Sequence, residues 1–80
     1  MTRYTILVEA PDPDDTPGNF SAYSPDVPGC AATGPTEASC IDAMVEALEM
    51  HLAGLAEDGL PVPTRRSTAV EVAVRPRVAA

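Results

Sequence analysis

Twelve carboxylates, one histidine and two cysteines are the side chains of this sequence best suited to chemistry, and their spacing decides which chemistry is open. Phosphodiester hydrolysis by paired divalent ions needs carboxylates that converge on two metals about 4 Å apart. Glu9 is the only acid of the first strand-like segment and Glu71 of the last, while Asp42, Glu46 and Glu49 project from one flank of a helical stretch. No converging set is predicted. Asp12, Asp14 and Asp15 crowd together as in a calcium loop, but no bidentate acid follows at the required spacing and the neighbouring prolines constrain the backbone. This segment therefore reads as a mobile loop. His51 has no nucleophile or orienting acid assignable beside it, so a packing role on a helix flank is expected. Cys30 and Cys40 form no CxxC pair and lack the further ligands that zinc requires, so two reduced thiols are expected. The expectation is a protein with no catalysis, metal or cofactor.

Charge narrows the partners. Twelve acids stand against five arginines and no lysine, for a net charge of −7, which disfavours direct binding to a phosphate backbone. The distribution is uneven: residues 1–64 hold eleven acids and only Arg3, whereas residues 65–80 hold Arg65, Arg66, Arg75 and Arg77 against Glu71. A solvated helix face is the simplest reading of Asp42, Glu46 and Glu49. The competing reading makes these three, with Asp14, Asp15 and the adjacent Asp12, a phosphate mimic that covers a basic RNA-binding surface on a partner and gains association rate by electrostatic steering.

The elements that must position these residues follow from periodicity. Residues 3–10 alternate, with Tyr4, Ile6, Val8 and Ala10 on one face, as a half-buried strand does. The turn formers of residues 11–19 lead to a second strand at 20–24, giving a hairpin. A rigid Pro25-Asp26-Val27-Pro28-Gly29 turn precedes a short third strand at 30–33. Thr36 is placed to cap a helix that runs to Glu57, with Ile41, Val45, Leu48, Leu52 and Leu55 as the stripe facing the sheet. Cys40, Met44, Ala47, His51 and Gly54 form a small, nearly uncharged flank open to a second surface. Gly59 ends the helix, and the alternation of Val70, Val72 and Val74 with Ala69, Glu71 and Ala73 predicts a last strand. The order is βββαβ, an α+β fold with an antiparallel sheet and one helix packed across it.

Eighty residues make one shallow core, and a low aromatic content leaves Val, Leu, Ile, Met and Ala to fill it, so self-association as a dimer or tetramer is expected. The edge of the last strand, with small outward residues at Ala69 and Ala73 beside Glu71, is the candidate oligomer or partner edge. The longest early apolar run, Ile6-Leu7-Val8, is too short for a signal-peptide core or a membrane span, which predicts a cytoplasmic protein.

Tyr23-Ser24-Pro25-Asp26-Val27-Pro28-Gly29-Cys30, then Thr33-Gly34-Pro35-Thr36, the Ala-Leu helix and Asp58-Gly59-Leu60-Pro61-Val62-Pro63 together resemble the HicB family of antitoxins over about residues 3–74. The resemblance implies a truncated ribonuclease-H-like fold. It also implies a protein partner: a HicA-type toxin, small and basic, that cleaves messenger RNA with a histidine and is silenced by occlusion. Two departures stand out. Ala38-Ser39 replaces the usual acidic pair, so capping is expected to rest on Thr36 alone. The sequence stops a few residues past the last predicted strand, so a single domain over 1–80 is expected, without the DNA-binding appendage that many relatives use to repress their operon. The alternative function is an orphan oligomeric regulatory or binding module of the same fold with no toxin.

Overall fold

A computed structural model describes residues 2–77. Three short strands, β1 (Leu7–Glu9), β2 (Phe20–Tyr23) and β3 (Ala31–Gly34), form an antiparallel sheet in the order β1-β2-β3, and one helix, α1 (Glu37–Glu57), packs across it. Val8 pairs with Ala22 and Ala22 with Ala32, which sets a row of small side chains on the helix-facing surface. The alternate row, Leu7, Tyr23 and Ala31, faces solvent, as period-two alternation requires. The expected α+β class and the hairpin are observed, and Tyr4, Ile6 and Val8 form a half-buried face, but Ala10 is exposed and β1 is shorter than the apolar alternation.

Both ends of α1 are set by local chemistry. The Thr36 hydroxyl accepts the Ser39 amide at 3.1 Å, while Ser39 Oγ accepts the Thr36 amide at 3.1 Å, closing a reciprocal capping box. Thr36 therefore does not cap alone: a serine hydroxyl at the third helical position reaches back as a glutamate would. At the other end Gly59 adopts φ 69°, and the Gly59 and Leu60 amides donate to the Ala56 and Leu55 carbonyls, the paired bonds of a Schellman stop.

The core consists of Ala22, Val27, Cys30, Cys40, Met44 and Leu48, with Tyr4, Ile6, Val8 and Phe20 packed around it. The buried helix residues are thus Cys40, Met44 and Leu48, while Val45 is 48% exposed and Ile41, Leu52 and Leu55 are half-buried. At about 100° per residue the sheet-facing side is turned by roughly 60° from the expected Ile41-to-Leu55 stripe. The reason lies at Gly34, where a Cβ would meet the Cys40 amide nitrogen and Ser39 Oγ at 2.7 Å. That close approach seats the first helical turn on β3, and the small flank expected to receive a second surface receives the sheet itself.

The predicted last strand is the one element that differs. Residues 60–77 form neither helix nor strand, and Ala69, Glu71 and Ala73 lie on an exposed tail, not on a sheet edge. Val70, Val72 and Val74 are 70%, 75% and 78% exposed. A strand is stable only when paired, and among the described residues no hydrogen bond reaches residues 68–77. The radius of gyration is 15.9 Å, against about 12 Å for a compact domain of this length, and the long axis is 57 Å.

Candidate functional site

Asp42, Glu46 and Glu49 follow one another at four- and three-residue steps along α1 and are all exposed, on the side away from Cys40, Met44 and Leu48. They form one acidic face held by a rigid, doubly capped helix. Asp14 and Asp15 lie exposed in the β1–β2 loop, where the Asp15 amide donates to the Asp12 carbonyl at 2.9 Å. Because Phe20 pairs with Gly34, this loop leaves the sheet at the end where α1 begins. The register therefore places the loop acids and Asp42 at the same end of the molecule, with Glu49 two turns further along. His51 is half-buried on the helix, and Cys30 and Cys40 are free and buried. Among the described residues no three of His, Cys, Asp and Glu gather as a metal site, and no helix is long and apolar enough to cross a membrane.

Sequence reasoning treated Asp26 as part of a turn, but the structure makes it the junction of three segments. Its carboxylate accepts the Thr5 amide at 2.9 Å on one oxygen and the Arg66 and Ser67 amides at 2.9 and 2.8 Å on the other. These amides, Thr5 foremost, then Arg66 and Ser67, hold its pKa down to about 2 against the opposing effect of burial. Ser24 Oγ donates to the Thr5 carbonyl, Thr5 Oγ1 to the Ser67 carbonyl and Tyr4 Oη to the Pro63 carbonyl. The C-terminal segment is thereby pinned beside the start of β1 as far as Ser67. The one available sequence signal is an acid inside a proline-rich turn with no charge partner nearby.

Beside this junction an open cleft of about 520 Å³ runs between residues 2–6 and α1, walled by Ile6, Val45, Leu48 and Leu52 with Glu49 at its margin.

A family described as the HicB_like antitoxin of bacterial toxin-antitoxin systems matches residues 4–77. The chain belongs to this HicB-like antitoxin family. The match spans the sheet, the helix, the Asp26 junction and the tail together. No curated protein and no solved structure matches this HicB-like chain. In this HicB-like chain the helix acids are exposed, and Asp26 clamps three segments together.

Proposed function

We propose that this HicB-like chain neutralises a HicA-type, messenger-RNA-cleaving toxin by occlusion, in the cytoplasm and without catalysis. The observation that carries the reading is an acidic helix face on a member of an antitoxin family: Asp42, Glu46 and Glu49 point away from the core and are free to contact a partner. A toxin that cleaves RNA must hold a phosphate backbone with cationic groups, and a row of carboxylates on a rigid helix presents a competing set of negative charges to that surface. Asp14 and Asp15 extend the negative field at the end of the molecule shared with Asp42. The fold that carries this face is a truncated ribonuclease-H-like arrangement, and the protein acts as a homo-oligomer.

The test is co-expression with a HicA-type toxin, followed by measurement of association at low ionic strength. A stable complex is expected, with association slowed at least tenfold in the Glu46→Lys/Glu49→Lys variant and the difference shrinking as salt rises. An unchanged association rate in the variant would remove the acidic face from the interface. Absence of any complex, with a clean homo-oligomer instead, would favour a regulatory module without a toxin.

A further inference from the structure

We propose that the cleft between residues 2–6 and α1 binds a small amphipathic anion, a carboxylate carried on an unbranched apolar chain. The cleft offers about 520 Å³ and brings two kinds of surface together. Ile6, Val45, Leu48 and Leu52 make an apolar wall, on which Val45 is 48% exposed. Arg3 and Arg65 supply the polar margin, together with Glu49. Arg3 is the only base in residues 1–64, which hold eleven acids, and Arg65 is the first base after them. Two of the chain's five arginines thus meet at one cleft of a molecule with a net charge of −7. Among the described residues no side-chain hydrogen bond engages either guanidinium. An apolar wall with a few polar groups converging at its margin is the general construction of a small-ligand site.

Charge and shape choose among ligands. Two guanidinium groups against one carboxylate leave the cleft locally positive, so it attracts an anion, and an arginine fork matches a carboxylate with paired N–H donors. The apolar wall adds nothing for a bare anion but gains affinity from each methylene it covers. From Val45 to Leu52 the helix rises about 10 Å, which suits an acyl chain of about eight carbons. The margin is also preorganised. Tyr4 Oη donates to the Pro63 carbonyl at 2.6 Å, and the Arg66 and Ser67 amides donate to Asp26 at 2.9 and 2.8 Å, so Arg65 lies between anchored residues beside the segment that carries Arg3. A peptide strand is a poorer occupant, because the Thr5 amide and carbonyl are already bonded to Asp26 and Ser24.

The experiment uses this chain alone with octanoate as the probe, so its outcome is independent of the antitoxin reading. Titration is followed by amide chemical shifts and by calorimetry. Saturable binding of a single octanoate per chain is expected, with shifts centred on residues 3–6 and 45–52. Hexanoate is expected to bind about tenfold more weakly, since each covered methylene is worth about fourfold. Octanol, which lacks the charge, and acetate, which lacks the chain, should bind more weakly still. Arg3→Gln and Arg65→Gln should each weaken octanoate about fivefold, and Glu49→Gln should strengthen it about threefold. All three side chains are exposed, so these variants keep their fold, which the helical circular dichroism signal verifies. Absence of saturable binding would overturn the proposal, as would octanol binding as well as octanoate or arginine variants of unchanged affinity. Shifts centred instead on the exposed tail valines, Val70, Val72 and Val74, would also overturn it, as general adsorption to apolar surface.

Discussion

Asp26 ties the N-terminal and C-terminal segments to the turn between β2 and β3. One carboxylate receives three backbone amides from segments about twenty and forty residues away, so its removal leaves donors without partners on both the N-terminal and C-terminal segments. Asp26→Ala is expected to abolish hydrogen-exchange protection at the Thr5, Arg66 and Ser67 amides while leaving the middle of α1 protected; equal loss throughout would show that the clamp is inseparable from the core. Its pH dependence has a definite sign. With a pKa of about 2 in the folded chain against an ordinary 3.8, the carboxylate contributes stability in full above about pH 4, and that contribution disappears as pH falls toward 2. Thermal unfolding of the wild type should therefore lose more between pH 5 and pH 2.5 than that of Asp26→Asn. Equal losses would mean that other groups set the acid limb. The acidic residues of the helix are different in kind: Asp42, Glu46 and Glu49 are all exposed, so their substitution should alter binding and leave folding intact.

Among the elements, the helix shows both what patterning reveals and what it hides. Thr36, Gly59 and the extent of α1 were legible because caps are local: a hydroxyl, a positive-φ glycine and the residues between them suffice. Its rotation was not, because hydrophobicity alone ranks Ile41, Val45 and Leu52 above Cys40 and Ala47. Contact with a sheet surface of Ala22 and Ala32 instead rewards residues that fit closely, with Met44 reaching into the remaining space. Two substitutions check this account by chemical denaturation. Met44→Ala, at a fully buried position, should cost about 2–5 kcal/mol. Gly34→Ala, which forces a methyl against the Cys40 amide, should cost about 1–3 kcal/mol. Val45→Ala, by contrast, should be nearly neutral to folding of the single chain; a large cost there would restore the expected stripe. The candidate acidic face survives the rotation, since Asp42, Glu46 and Glu49 remain on the side away from the sheet.

For the whole molecule, six buried apolar side chains among the described residues are a thin core, and domains of this size bury a smaller share of their surface than larger ones do. The tail is where the sequence and the single chain part company. Its alternation of valines predicts a strand, but residues 69–74 form none, because a pattern does not supply the partner strand that pairing requires. The same limit applies to the acidic face: the sequence places the carboxylates on one side of a helix, and only a partner can give them a function. Membership of an antitoxin family implies a toxin as a kind of partner for the chain. The measurement that tests the proposed function most directly is cleavage of messenger RNA by a HicA-type toxin, with and without an equimolar amount of this protein. Suppression of cleavage by the wild type, restored in part by Glu46→Lys/Glu49→Lys, is the predicted result; cleavage that proceeds unchanged in the presence of the wild-type protein would contradict it.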